Sequence, residues 1–232
     1  MKNSFFTPLV LLLALVLGCS SLQDLARRGG GDGPSDTPAN DHPAEDRSGG
    51  PAAFSPGSDG KADLEEMSRR FMDAAAFQAK MSGTGAIKME AAVDFVAPDR
   101  FRISTNAMGG QYVEMVIISN ETFMNMGGKW QKMPASDLSS ILSIRQAFTD
   151  EGMKWIDDVS YKGEETLDGK PVYIYTYRGK TPGGGPDFSS KLWIGKNDGL
   201  PLRITANYTK GELKTMQIDY NYDSRITIEA PM

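Results

Sequence analysis

The chain has 232 residues, of which 40% are hydrophobic and 9% aromatic, a composition that excludes an intrinsically disordered protein. Its formal net charge of -5 and its sequence pI near 5.0 provide no basic field of the kind that binds nucleic acid. Its single cysteine, Cys19, excludes a disulfide framework within the chain.

The N-terminal segment has the features of a secretory signal peptide. Lys2 supplies a positive charge, and the apolar run that follows ends at Leu17. This run is too short for a membrane-spanning helix, which needs roughly 20 residues. Residues 16–21, VLGCSS, resemble a bacterial lipobox, in which the cysteine is acylated and the leader is cut directly before it. We therefore expect residues 1–18 to be removed and Cys19 to carry a lipid anchor.

Residues 19–60 are predicted to be the acylated cysteine followed by a flexible linker, because they are rich in Gly, Pro and Ser. A coil of about 40 residues has a root-mean-square span on the order of 35 Å, so the folded domain would stand away from the membrane. Ser20 resembles the residue that permits outer-membrane sorting in enteric-type bacteria. We expect an outer-membrane protein facing the periplasm; the outer face of the cytoplasmic membrane is the alternative.

The folded domain is predicted to cover residues 61–232 and to begin with an amphipathic helix. Leu64, Met67 and Phe71 recur at helical spacing, and acidic residues occupy the first turn, where the helix dipole favours them. A second amphipathic helix is predicted from Ser136 or Asp137 to Thr149. Its apolar face would be formed by Leu138, Ile141, Leu142 and Phe148.

The rest of the domain alternates apolar and polar residues with a period of two, which predicts strands. Turn pairs such as Asp168-Gly169 separate successive segments at hairpin distance, so neighbouring strands should be antiparallel. The pattern predicts a mainly β domain, a curved antiparallel sheet with about two helices against its concave side. The segments with this alternation are 111–119, 122–126, 129–133, 172–177, 188–194, 202–208 and 213–222.

Several sequence motifs together resemble the LolA/LolB-like lipoprotein-carrier superfamily over roughly residues 64–231. They are VAPDRFR at 96–102, GKWQK at 128–132, GEETLDG at 163–169, KLWIGKNDGLPLR at 191–203 and IDYNY at 218–222. The resemblance implies a half-open β-barrel, lidded by helices, with an apolar cavity that accepts acyl chains. Within the superfamily, an acylated cysteine is a property of LolB and of the mycobacterial lipid-binding lipoproteins.

Catalysis by a Ser/His or Cys/His arrangement is excluded for the predicted domain, because residues 61–232 contain neither histidine nor cysteine. The only histidine, His42, lies in the linker. Neither a zinc-ligand set nor a calcium-loop spacing occurs. We therefore predict that the protein is not an enzyme and uses no metal and no cofactor.

The candidate ligand-binding residues are apolar and adaptable. Met115, Met124 and Met126 lie in predicted strands, and methionine repacks readily around ligands of varied shape. Trp130, Trp193 and the apolar face of the second helix, Leu138, Ile141, Leu142 and Phe148, complete the predicted set. The alternative is that these side chains fill an ordinary core, and sequence parity alone does not decide which strand face lines a cavity.

These observations predict a membrane-tethered, monomeric lipoprotein that binds an acylated ligand, either a lipid or an acylated protein, for envelope transport or sorting. The alternative is an envelope sensor or protein-interaction module on the same fold that binds a protein partner and transfers no ligand. We expect no nucleic-acid partner.

Overall fold

The structure is a computed structural model that describes residues 53–108, 111–133, 149–180, 186–222 and 225–231. These residues form one antiparallel sheet of eleven strands. The strands are β1 (Ala76–Gly85), β2 (Met89–Val96), β3 (Arg100–Met108), β4 (Gln111–Ile118), β5 (Glu121–Met126), β6 (Lys129–Met133), β7 (Ile156–Leu167), β8 (Lys170–Gly179), β9 (Phe188–Gly195), β10 (Pro201–Tyr208) and β11 (Leu213–Asn221).

The sheet is open, with β6 and β7 as its two edges. Its strand order is β6-β5-β4-β3-β2-β1-β11-β10-β9-β8-β7. Strands adjacent in sequence therefore pair with each other, except for β6 and β7, and the first strand pairs with the last. The chain passes from one edge of the sheet to the other between Met133 and Ile156. The predicted fold class, a curved antiparallel sheet of the half-open barrel type, is confirmed.

Each segment predicted from alternation is a strand, and the predicted turn pairs connect them. Asp168 and Gly169 have φ angles of 49° and 81°, as a type I′ turn requires at its two central positions. The segments predicted from alternation do not include β1, β2, β3 or β7. In β7 the alternation breaks, because the β7–β8 register shifts between Asp157 and Ser160 and again between Tyr161 and Gly163. Each such irregularity reverses which side chains face the core.

Helix α1 (Gly60–Met72) is the predicted first helix. Asp59 caps its N-terminus by accepting a hydrogen bond from the backbone N–H of Lys61 at 2.9 Å. A short helix, α2 (Asp150–Met153), begins where the second predicted helix should end. The predicted residues 136–148, which include Leu138, Ile141, Leu142 and Phe148, lie outside the described residues. Within the described ranges, no helix has the length and apolar character needed to cross a bilayer.

The two faces of the sheet differ in what they pack against. We call the side on which α1 lies the inner face and the opposite side the outer face. The inner face carries the main core, which joins α1 residues such as Leu64, Met67 and Phe71 to side chains from β1 to β4 and β8 to β11. The outer face carries a small cluster formed by Val172, Ile174, Trp193 and Leu202.

Two segments outside the regular elements also pack on the domain. Phe54, six residues before α1, is buried, and its ring centroid lies 6.0 Å from that of Tyr173. Its backbone N–H donates to the carbonyl of Lys196 at 3.2 Å. Near the C-terminus, Ile228 is buried and its carbonyl accepts a hydrogen bond from the Arg100 guanidinium at 2.9 Å.

Candidate functional site

Strand register arranges the inner-face side chains of β1 to β6 in rows that cross the sheet. The first, which we call the aromatic row, begins with three phenylalanines whose neighbouring ring centroids are 5.1 and 4.9 Å apart. Its members in order from β1 to β6 are Phe77, Phe95, Phe101, Ile117, Thr122 and Met133. The row is therefore aromatic on β1 to β3, near the centre of the sheet, and continues with Ile117, Thr122 and Met133 toward the β6 edge.

The second row, which we call the methionine row, lies two residues further along each strand. Met115 of β4 and Met124 of β5 are direct register partners in this row, so the structure brings these two predicted site residues together. Met115 is buried, whereas Met124 is partly exposed. From β1 to β6 the row contains Ala79, Val93, Ile103, Met115, Met124 and Gln131.

Helix α1 packs over the other half of the inner face. The Phe71 ring lies 5.0 Å from Phe77 of β1 and 5.4 Å from Tyr220 of β11. Asp63 accepts a hydrogen bond from the Tyr175 hydroxyl of β8 at 2.8 Å. Strand β4 is three strands beyond β1, about 14 Å away at the usual strand spacing, whereas a helix is roughly 10 Å across. Helix α1 is therefore too narrow to cover the part of the methionine row that lies on β4 and β5.

The tyrosines of the inner face are uncharged at physiological pH. Burial, and then the hydrogen bond to Asp63, raise the pKa of Tyr175. Burial likewise raises the pKa of Tyr208 and that of Tyr220. Burial also raises the pKa of Tyr177. These phenols therefore add polar atoms to the inner face without adding charge.

The structure does not bring the predicted tryptophans to the methionine row. Trp193 lies on the outer face, where its indole N–H donates to Glu165 and the Lys191 ammonium sits 4.3 Å from its ring centroid. Trp130 pairs with Asn125, which pairs with Glu114, so all three side chains are on the outer face. Successive side chains of a strand point to opposite faces of the sheet. Because each tryptophan is adjacent in its strand to an inner-face residue, both indoles lie on the outer face.

The remaining predicted site residues lie outside the described part of the chain. They are Cys19, Leu138, Ile141, Leu142, Phe148 and the side chain of Met126. Within the described part, no group of three or more His, Cys, Asp or Glu residues is arranged to hold a metal ion.

Asp63 is a buried residue that the sequence does not distinguish from a solvated helix-start acid. Besides the Tyr175 hydroxyl, it accepts a hydrogen bond from the backbone N–H of Gly57 at 2.8 Å. It therefore connects α1, the segment before α1 and β8. Its burial could not be predicted from neighbouring residues, because its tyrosine partner is 112 residues away in the chain.

Comparison with known proteins relates the chain to solved structures. No family model and no curated relative matches it. The lipoprotein LppX of Mycobacterium tuberculosis is 16% identical, with a TM-score of 0.55, and the match covers 72% of this chain and 99% of LppX. LprF of Mycobacterium bovis is 14% identical, with a TM-score of 0.56, and the match covers 76% of this chain and 99% of LprF. The chain therefore has the fold of LppX and LprF, and the fold expected from the sequence motifs is confirmed.

Proposed function

We propose that this protein is a membrane-tethered lipoprotein that binds the acyl chains of a lipid or an acylated protein on the inner face of its open sheet, for transport or sorting in the cell envelope. The observation that carries the proposal is the part of the methionine row on β4 and β5, Met115 and Met124, which lies beyond the reach of helix α1. Apolar side chains in a curved, open sheet suit a ligand made of methylene groups, each contributing about 0.8 kcal/mol when buried.

Three further features support this function. Met115 and Met124 adapt to chains of different shape because methionine is unbranched and polarizable. The inner-face tyrosines remain uncharged, so a hydrocarbon would meet no buried ion from them. The lipobox at Cys19 would keep the domain at a membrane surface, where acylated ligands are found. We propose the outer membrane, facing the periplasm, as that surface.

The first test asks whether the protein carries a ligand from the cell. The Cys19→Ser form of the full chain, which lacks the acylation site, would be purified without detergent, extracted with organic solvent and analysed by mass spectrometry. We expect acyl species in stoichiometric amounts. An empty protein that takes up no acylated probe, and that crosslinks instead to one envelope protein, would favour the sensor or interaction function.

The second test fills the proposed binding face. Met115→Trp adds bulk in the middle of the methionine row, and overpacking of this kind costs about 1–3 kcal/mol, less than the stability of a typical domain. We expect the variant to remain folded and to bind a fluorescent fatty-acid probe at least about tenfold more weakly, a loss of about 1.4 kcal/mol.

The matched control for this variant is Glu114→Trp, which places the same side chain one residue away on the outer face of β4. It should bind the probe as the wild type does. Equal binding by the wild type and both variants would show that the methionine row is packed core rather than a binding face.

A further inference from the structure

Thr122 is a buried polar side chain within the apolar half of the inner face. It lies in the aromatic row between Ile117 and Met133 and is 1% exposed. Its hydroxyl has no hydrogen-bond partner among the residues that the structure describes. A hydroxyl buried in this way is unfavourable, because it has given up its hydrogen bonds to water without replacing them. A ligand atom that accepts a hydrogen bond from this hydroxyl would remove that cost.

Thr105 shows how the fold satisfies a threonine on the same face. Its register partner is Val113, a core residue, and its own side chain is 8% exposed. Its hydroxyl donates to the backbone carbonyl of Glu90 at 3.0 Å. Both threonines are buried on the inner face, but only Thr105 has this bond to the neighbouring strand.

Flexible side chains border the Thr122 hydroxyl. Met124 follows it on the inner face of β5, and Met133 is its register partner on the edge strand β6. Both methionines are partly exposed, and their unbranched side chains change rotamer readily. A rotamer change of these two side chains would therefore open space beside the Thr122 hydroxyl on the side of the β6 edge.

The charges near Thr122 favour a neutral ligand group. Glu121 and Lys132 form an ion pair with each other, and strand alternation puts both on the outer face. Lys129 is four residues from Met133 along β6, about 13 Å at the usual rise per residue. A buried carboxylate would need a closer cation, whereas one hydroxyl donor is sufficient for the carbonyl oxygen of an ester.

We infer that Thr122 is the polar anchor of the acyl-binding face, where its hydroxyl donates a hydrogen bond to the ester carbonyl of an acyl ester whose chain lies along the methionine row. The inference rests on the proposed function, and it narrows the ligand from any acyl chain to an ester. It also assigns the position of the carbonyl, at the β5–β6 side of the sheet.

The experiment compares two probes on three proteins. The probes are methyl palmitate and a linear hydrocarbon of equal length, each measured by displacement of an apolar fluorescent dye from the Cys19→Ser form of the full chain. The proteins are this form, the same form with Thr122→Val, and the same form with Thr105→Val as the matched control. Valine keeps the shape of threonine and removes the hydroxyl.

We expect the parent protein to bind the ester more tightly than the hydrocarbon. Thr122→Val should weaken ester binding by about three- to tenfold, the range for one neutral hydrogen bond, and leave hydrocarbon binding unchanged. It should not lower the Tm. Thr105→Val should keep the ester preference and lower the Tm by about 2–4 °C, because it leaves the Glu90 carbonyl without this donor.

Failure of the inference differs from failure of the proposed function. If Thr122→Val keeps the full ester preference, or lowers the Tm as much as Thr105→Val does, the hydroxyl has a partner within the protein and the assignment is overturned. If the parent protein binds neither the ester nor the hydrocarbon, the proposed function itself is refuted.

Discussion

At the scale of single residues, the hydrogen bond from Tyr175 to Asp63 fixes helix α1 to strand β8. A hydrogen bond to a charged group is worth about 1.5–3 kcal/mol. Tyr175→Phe should therefore lower the free energy of unfolding by roughly this amount, with the Asp63 carboxylate keeping its bond from Gly57. Urea denaturation of the wild type and the variant measures the difference.

The control for this prediction is Tyr208→Phe. The Tyr208 hydroxyl approaches the Met216 sulfur at 3.9 Å, and a thioether is a weak acceptor. Removing this hydroxyl should change the free energy of unfolding by less than about 0.5 kcal/mol. Equal losses in the two variants would mean that packing of the ring hydroxyls, rather than the bond to Asp63, is responsible.

At the scale of elements, the segment before α1 belongs to the folded domain. Phe54 packs on Tyr173, the Arg70 guanidinium lies 5.6 Å from its ring centroid, and Gly199 approaches it so closely that an added Cβ would lie 2.9 Å from the Cβ of Phe54. The turn at Gly199, with a φ angle of 70°, therefore requires glycine for both its conformation and its contacts.

Truncation tests this role of the segment. A chain that begins at residue 53 should match the stability of the chain that begins at Cys19. A chain that begins at residue 55 loses the Phe54 ring but keeps Gly57 and the Asp59 cap, and it should be destabilised by about 3–5 kcal/mol, the usual cost of removing a buried phenylalanine. Thermal denaturation of the three proteins compares them, and equal Tm values would show that Phe54 contributes nothing to the core.

At the scale of the whole molecule, we predict that the lipid on Cys19 is what attaches the protein to the membrane. The described residues begin at residue 53, more than thirty residues after Cys19. We therefore expect Cys19→Ser to yield a folded protein that is recovered in the soluble fraction. A multiply acylated cysteine holds firmly to one leaflet, whereas a serine carries no acyl chain. Recovery of the variant in carbonate-washed membranes at the wild-type level would show that another element anchors the chain.

Local patterns in the sequence predicted much of the architecture. Alternation with a period of two identified β4 to β6 and β8 to β11, because successive side chains of a strand point to opposite faces of the sheet. Helix α1 followed from the spacing of Leu64, Met67 and Phe71, which all pack in the core. Turns such as Asp168-Gly169 followed from residue types that tolerate positive φ angles. These features depend on residues close together in the chain, so the sequence alone carries them.

Tertiary structure alone decided which residues share the candidate site. Trp193 and Met115 both lie in well-predicted strands, yet the register of the sheet puts them on opposite faces. Phe54 lies in a Pro- and Gly-rich segment and is buried because residues distant in the chain pack against it, among them Tyr173 and Gly199, both more than a hundred residues later. In the sequence Thr122 is an ordinary strand residue. Only its register with Ile117 shows that its side chain lies in the aromatic row. Which side chains meet depends on pairings between distant strands, because a shift of one residue in register exchanges the two faces of a strand.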